Sequence, residues 1–372
     1  MIGTDPNFFR PGTEARRRAE AYGRLFGTLD VIVYTPRGFT AERLASGTRL
    51  HPTDSYLRIL RPWDAFWLGR RIIRQQRMSV ISVQDPAECG VVGLLLKTIF
   101  GLPLHVQMHA DFFSPHFRRN SWQERIRYWL ARLVIPRGDY FRVVSQRLKN
   151  SLHSTFNIQH SYIAVLPIFV DREAFASAAP KFNLRRKYPE FDFIMLMVSR
   201  LNRDKRIDVA LDAFAELVSE FPKTGLVIVG GGPERKNVEL RIQDLELSHC
   251  VRLEGWQDDV RAYFKTADLY LLTSAFEGYG RTVIEAASAG IPVVMTDVGV
   301  AGEVIRDGET GRVVPVEGRA ALAAALGEAR QNYSKMRKMA ERARAEVLAM
   351  EPRTWPEYLR RYQKSYESAL HN

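Results

Sequence analysis

A chain of 372 residues is about two domains' worth of sequence, and an apolar fraction of 46% without low-complexity tracts excludes a disordered or fibrous protein. The net charge of +12 is uneven: residues 1–180 carry 25 Lys+Arg against 14 Asp+Glu, and residues 181–372 carry 29 against 28. So basic a first half implies an anionic partner, which charge alone leaves open among nucleic acid, an acidic membrane surface and a phosphorylated substrate.

Short β-rich runs alternate with helical stretches twice over, the pattern of parallel α/β domains. Met1-Ile-Gly3 leaves almost no opening strand before a loop from Thr4 to Gly12; the strand is a stub, or this form starts late. Behind the loop, Glu14 and Arg17, with Arg16 and Arg18, are candidate contacts for an anionic acceptor and equally a solvated helix face. Strands are expected at Val31–Tyr34, Val80–Val83, His105–Met108 and Phe141–Val144. His109 and Asp111 stand at the mouth of the third, where a lone histidine is more often packed than catalytic. From Arg118 to Arg147, arginines are interleaved with Trp122, Ile126, Tyr128, Trp129, Leu130 and Leu133. This favours a core-facing stripe with a basic back over a face resting on an anionic bilayer. Ala164 to Asp171 is the expected linker.

In the second half, strands are expected at Phe193–Val198, Leu226–Val229, Val251–Leu253, Leu269–Leu272 and Pro292–Met295, with a helix from Asp208 to Phe221 whose Leu211, Phe214 and Val218 share a face. Arg200 and Lys205 follow the first of these strands, where ligands of open α/β sheets bind; a planar fork and a point charge there suit a diphosphate, and the bland alternative is a solvated basic loop. Gly230-Gly-Gly232 follows the next strand and is weak evidence alone. Gly278 and Gly280 lie in the turn between Leu269–Leu272 and a helix from Thr282 to Ala289, which Gly290 ends. Unpaired NH groups at that helix start offer a phosphate site, and Glu277 and Glu285 offer acceptors for sugar and ribose hydroxyls. Two helices close the chain, one from about Arg319 to Val347 with an interruption expected within it, and one from Thr354 to about Leu370 with a Trp355, Tyr358, Leu359 and Tyr362 stripe.

Glu277-Gly-Tyr-Gly280, with Glu285 after seven intervening residues and Ala289-Gly-Ile-Pro-Val-Val294 behind it, closely resembles the Glu-x7-Glu signature of retaining family 4 glycosyltransferases of the GT-B fold, the group 1 glycosyl transferase type. Ser199-Arg-Leu201 with Lys205 is similar to the family's pyrophosphate-binding motif, with Arg206 where glycine is commoner. The resemblance covers nearly the whole chain and is most specific from Val198 to Val314; Gln84-Asp-Pro86 and Pro167-Ile-Phe-Val-Asp171 also fit a bacterial-type subgroup.

It implies two Rossmann-like doubly wound α/β domains facing across a cleft: residues 1–167 on the acceptor side, residues 168–350 holding the donor, and a helix over 351–372 crossing back to the first domain. The implied reaction is retaining transfer of a hexose from a UDP- or GDP-linked sugar to a lipid-linked or cell-envelope glycan. By the same resemblance His109, Arg200, Lys205 and Glu277 form the catalytic set. Gly255, Gly278, Tyr279, Gly280, Thr282, Val283 and Glu285 complete the donor contacts, and Glu14, Arg17 and Asp111 are the acceptor candidates. No cofactor and no metal are expected, since the nucleotide sugar is a substrate and the chain has no Asp-x-Asp motif.

An epimerase or phosphorylase on the same fold is the enzymatic alternative, because fold does not fix reaction. A catalytically inactive basic module is the other; the intact Arg200, Lys205, Glu277 and Glu285 set argues against it. Nothing resembles a nucleic-acid-binding module. Cys89 and Cys250 lack disulfide or metal spacing, no apolar run is long enough to span a bilayer, and the amino terminus lacks a signal-peptide pattern. The expectation is a cytoplasmic protein, with contact at the inner membrane face as the companion of a lipid-linked acceptor.

Overall fold

Ile2–Gly3 forms a strand of two residues, placed at the centre of a sheet. The computed structural model describes the backbone of residues 1–370 and the side chains of residues 1–366. Its first sheet comprises Ile2–Gly3 (β1), Leu29–Val33 (β2), Glu42–Arg43 (β3), Thr48–Pro52 (β4), Ile81–Val83 (β5), Leu104–Met108 (β6), Tyr140–Val143 (β7) and Ile163–Val165 (β8), in the order β3-β4-β2-β1-β5-β6-β7-β8. Pairing is parallel except between β3 and β4. β4 is polar and ends in Pro52, so composition hides it; its Arg49 and His51 both reach Asp30 of β2, at 2.7 and 2.8 Å. Burial disfavours the Asp30 charge, but those two bonds outweigh it and hold the carboxyl below its ordinary range.

The connecting helices are Glu14–Phe26 (α1), Arg61–Gln75 (α2), Glu88–Phe100 (α3), Pro115–Asn120 (α4), Trp122–Val134 (α5) and Gln146–Phe156 (α6). Thr13, Ser121 and Ser145 cap α1, α5 and α6 through their hydroxyls. The strand order steps one way across α1 and the other way across α2, α3 and α5. Right-handed crossovers therefore put α1 on one face of the sheet and α2, α3 and α5 in a row on the other; α2 packs on α3, and α3 on α5.

The expected core-facing stripe of α5 faces outward instead. Trp122, Ile126, Trp129 and Leu133 are exposed, and Ala131 and Val134 are the buried positions. A Cβ added at Gly90 of α3 would stand 3.0 Å from a Val134 methyl, so the small residues of the two helices meet and the large ones are left outside. Apolar spacing registers a face without saying which face is covered.

The second unit opens with Arg172–Ala176 (α7) and Leu184–Lys187 (α8). Its sheet comprises Phe193–Val198 (β9), Thr224–Val229 (β10), Val251–Gly255 (β11), Leu269–Leu272 (β12), Val293–Thr296 (β13) and Arg312–Val314 (β14), all parallel, in the order β11-β10-β9-β12-β13-β14. Ile207–Glu220 (α9), Arg235–Asp244 (α10), Arg261–Thr266 (α11), Arg281–Ala289 (α12), Arg319–Gln331 (α13) and Tyr333–Ala349 (α14) accompany it. This is the 3-2-1-4-5-6 order of the dinucleotide fold, which reverses direction between β9 and β12. β9, β10 and β12 are buried along their whole length, as parallel strands covered on both faces must be.

The last helix, Trp355–Leu370 (α15), belongs to the first unit, which comprises Met1–Pro167 with Thr354–Asn372; the second is Ile168–Arg353. The outer boundary lies three residues beyond the expected 350, and residues 371 and 372 of the expected crossover segment lie outside the described residues. Tyr362 of α15 stacks on Tyr22 of α1 at 4.1 Å. Arg142, buried in β7, donates to the Tyr358 hydroxyl at 2.8 Å, to Gln107 Oε1 at 2.8 Å and to the carbonyls of Leu166 and Pro167. Gln107 donates in turn to the hydroxyls of Tyr362 and Tyr366. No helix among the described residues is long and apolar enough to cross a membrane.

Candidate active site

Ligands of doubly wound sheets sit outside the carboxyl ends of the strands, at the point where the order reverses. In the second unit that point lies between β9, whose following loop holds Arg200 and Lys205, and β12, whose following loop holds Glu277 to Gly280. Backbone bonds tie the strand-end loops together: Ala275 NH donates to the Asp204 carbonyl at 2.7 Å, and Leu201 NH to the Gly231 carbonyl at 2.9 Å. The Gly-rich loop after β10 lies directly under the loop after β9. A Cβ at Gly230 would come within 1.8 Å of the Ser199 carbonyl oxygen, and one at Gly232 within 2.4 Å of that of Leu201; close approach is what these glycines provide.

Lys205 closes a 3-10 turn, Arg203–Lys205, and donates to Glu277 Oε1 at 2.6 Å, with Asp204 at 3.2 Å. Ser274 Oγ donates to the same Oε1 at 2.8 Å. Burial opposes the Lys205 charge, but Glu277 and Asp204 outweigh it and raise its pKa above the ordinary value. An ammonium has three donors, so one remains for a ligand, and Glu277 Oε2 remains as an acceptor. Arg200 is exposed, with no carboxylate partner among the described residues. Arg206 adopts φ 48°, ψ 47°, the left-handed conformation that favours glycine, and its side chain is held by Asp208 and Glu317.

Gly280, at φ 87°, opens α12, and no side chain caps that helix start. Tyr270 donates to Thr282 Oγ1 at 2.6 Å, fixing the first turn. Tyr279 and Val283 are buried, the Tyr279 carbonyl accepting from Val300 NH at 3.0 Å. Glu285 is buried rather than solvated, and Arg281 Nε donates to its Oε1 at 2.9 Å. Gly255, at φ 71°, accepts from Gly230 NH at 2.8 Å, and the neighbouring Glu254 carboxylate is committed to Lys187, Tyr188 and Tyr263.

The other predicted residues lie in the first unit. His109 ends β6. Asp111 Oδ1 accepts from the NH groups of Phe113 and Ser114, at 3.1 and 3.0 Å, so it shapes its own turn. Glu14 and Arg17 are exposed on the first turn of α1, Glu14 lying 3.9 Å from Arg18, while Arg16 makes a bidentate pair with Glu42. The structure thus brings Lys205 and Glu277 into contact and sets Arg200 and the α12 start after the adjoining strands β9 and β12, with Gly255 ending β11 two strands away from β9.

Two family models divide the chain between them: Glycosyltransferase Family 4 matches residues 19–174, and Glycosyl transferases group 1 matches residues 181–346. The chain belongs to the family 4, group 1 glycosyltransferases. Among this family chain's relatives, N-acetyl-alpha-D-glucosaminyl L-malate synthase of Bacillus anthracis is 29% identical over 59% of the chain and 57% of its own length. A GDP-mannose-dependent alpha-(1-6)-phosphatidylinositol monomannoside mannosyltransferase of Mycolicibacterium smegmatis is 28% identical over 82% of each. The chain spans about half the length of the first curated relatives it matches, 57% and 44%. Among solved structures, Anabaena HepE in complex with UDP and glucose has a TM-score of 0.74 at 19% identity, covering 99% of this chain and 98% of that one. Sucrose-phosphate synthase from Thermosynechococcus elongatus has 0.79 at 19%, covering 96% and 93%. These likenesses show the GT-B fold.

Sequence reasoning about this glycosyltransferase chain missed Ser274, Asp204 and Arg281, each a partner of a residue it had named. Ser274 carried the readable signal, a hydroxyl at the strand end three residues before Glu277. His109 is depressed to a pKa of about 3, by burial first and then by Arg142 and Arg18; His105, wholly buried, is depressed to about 3 by burial and then Arg142. Both are neutral at physiological pH. The unfolded chain takes up these protons near pH 6.5 and the folded chain only near pH 3, so their contribution is complete above pH 6.5 and is lost as pH falls. First-unit stability is expected to drop by roughly 1.4 kcal/mol per pH unit for each histidine below that point. Denaturant melts between pH 6.5 and 5 check this, and His105→Gln is expected to flatten the slope by about half.

Proposed function

We propose that the chain transfers a hexose from a nucleoside diphosphate sugar, UDP- or GDP-linked, to a glycan or lipid-linked acceptor of the cell envelope, with retention of configuration. The observation that carries this reading is the switch-point cluster: Arg200, Lys205 and the uncapped α12 start beside Glu277. The names of the relatives support it, since they include a structure with UDP and glucose and a GDP-mannose-dependent enzyme acting on a lipid.

In this scheme Arg200, the free donor of Lys205 and the α12 NH groups meet the diphosphate charge as it develops, which is electrostatic stabilisation. They take the part a metal plays elsewhere, and the scheme includes neither a metal nor a cofactor. Glu277 Oε2 accepts from the sugar hydroxyls; Glu285 serves the ribose by sharing its carboxylate with Arg281. The bond from the anomeric carbon to the diphosphate oxygen breaks, the acceptor oxygen bonds on the same face, and the acceptor proton passes to the departing phosphate. His109, a neutral imidazole, exchanges a hydrogen bond with a sugar or acceptor hydroxyl.

A thermal-shift panel of UDP-glucose, UDP-N-acetylglucosamine, GDP-mannose and ADP-glucose tests the donor. At a hundredfold excess over Kd the true donor is expected to raise Tm by about 5–10 °C. The stabilising donor is then incubated alone and with a lipid and glycan extract of the cell envelope. Sugar transferred only when the extract is present, with the donor's anomeric configuration, is the expected result; release of a sugar isomer from donor alone would instead establish an epimerase.

A further inference from the structure

The row formed by α2, α3 and α5 leaves a large apolar surface uncovered. Twelve of the sixteen exposed large hydrophobic side chains among the described residues lie on this row or on the turn leading into it. Ile59 stands on the turn leading into α2, and Trp63 and Trp67 project from the start of that helix, with Trp63 61% exposed. Leu95 and Ile99 continue the surface on α3. On α5, Trp122, Ile126, Trp129 and Leu133 recur at helical spacing, with Trp122 68% and Trp129 58% exposed. Burying such side chains is favourable by about 1.5–3 kcal/mol each, so a contiguous patch of them calls for a partner.

The charge around the patch selects that partner. The first unit holds 27 Lys+Arg against 14 Asp+Glu, and the second 27 against 28, so the chain's whole positive excess sits on the unit that carries the patch. Arg71 and Arg74 extend the tryptophan stripe of α2, and Arg118, Arg119 and Arg125 border that of α5; these five are exposed and none has a carboxylate partner among the described residues. The nearby acidic groups are already engaged: Asp64 by Ser55, Glu88 by Arg127, Glu124 by Ser121 and Asp139 by Lys97. Arg70 lies over the Trp67 ring at 5.1 Å, and Arg132 over that of Trp129 at 6.0 Å. Indoles and guanidinium groups side by side on a row of amphipathic helices suit the headgroup level of a membrane, where rings enter the acyl boundary and arginines meet lipid phosphates. A second copy of the chain would bring like charge against like.

We propose that the exposed face of α2, α3 and α5 docks the protein on an anionic phospholipid bilayer, with Trp63, Trp67, Trp122 and Trp129 inserted at the interface. Docking is separate from the donor site: its readout is vesicle binding without nucleotide sugar, and it can stand or fall independently of the transfer reaction.

Flotation of the full chain with vesicles of phosphatidylcholine, with and without phosphatidylglycerol, tests it. Binding to the anionic vesicles at physiological ionic strength, weakened by added salt, is the expected result. Four of the six tryptophans lie on the face, so intrinsic emission is expected to shift to the blue and to be quenched by brominated lipid. Changing Trp63, Trp67, Trp122 and Trp129 to Ala is expected to weaken binding by at least about tenfold, and Arg71→Gln with Arg74→Gln and Arg125→Gln by a similar factor on anionic vesicles. Unchanged melting of both variants shows that the fold survives. Wild-type protein that stays with the soluble fraction, or a four-tryptophan variant that floats undiminished, would overturn the assignment. So would a dimer that this variant splits while vesicles go unbound, which would make the face a contact between copies.

Discussion

Lys205→Ala is expected to lower kcat/KM for sugar transfer by about 10²–10³-fold, with most of the loss in kcat. The ammonium is nearly enclosed, already held by Glu277 at 2.6 Å and Asp204 at 3.2 Å, and has one donor left, which the proposed scheme directs at the leaving diphosphate. Glu277→Ala is expected to be as severe, because it removes the oxygen that the proposed scheme gives to the sugar hydroxyls and also releases Lys205 from its position. The two losses should therefore fail to add: in the double variant the combined effect is expected to fall short of the summed free energies by about 1–3 kcal/mol. Steady-state release of nucleoside diphosphate measures all three variants, and full additivity would separate the roles of the two residues.

Arg142→Met is expected to destabilise the first unit by about 3–5 kcal/mol. The guanidinium is buried without a carboxylate, and its partners are Gln107 Oε1, the Leu166 and Pro167 carbonyls and the Tyr358 hydroxyl. Removing it leaves these polar atoms without that partner in a largely buried site, each at a cost of about 1–3 kcal/mol, partly relieved by relaxation. It also cuts one of the ties that hold α15 against β7. Arg142→Lys keeps the charge but loses the fork, and is expected to fall between the two. Urea unfolding followed by far-UV circular dichroism checks this; a midpoint equal to wild type would mean that α15 is held by its tyrosine packing alone.

The sequence made the elements with strong periodicity legible. β9 and β12 were readable to the residue because both are short unbroken apolar runs, and α12 to within one residue, starting at Arg281 where Thr282 was expected, because Gly280 and Gly290 bracket it. Arg200, Lys205, Glu277 and Glu285 were singled out from local strings alone. What those strings do not hold is the contact between Lys205 and Glu277, which are 72 residues apart and meet only because the strand order sets β12 beside β9. The Arg142 network was hidden for a similar reason. An arginine inside an expected strand shows nothing until Tyr358, 216 residues later, is folded against it.

Two other differences have local causes. Arg206 looked like an irregularity in a glycine position; its left-handed backbone explains the preference, and its ion pairs with Asp208 and Glu317 offset the strain. The tryptophans of α5 looked like core because amphipathic spacing is the same whether the apolar face meets protein or lipid. The fit of Val134 against Gly90 decides the orientation, and that fit depends on tertiary packing.

Calorimetric titration of the purified full chain with UDP, GDP and ADP tests the central claim, that the β9–β12 switch point is a nucleoside diphosphate site. Saturable binding of at least one of them, weakened about tenfold or more by Arg200→Ala through loss of charge-assisted hydrogen bonds, is the predicted result. Absence of binding by all three, or equal affinity in wild type and the Arg200→Ala variant, would contradict it.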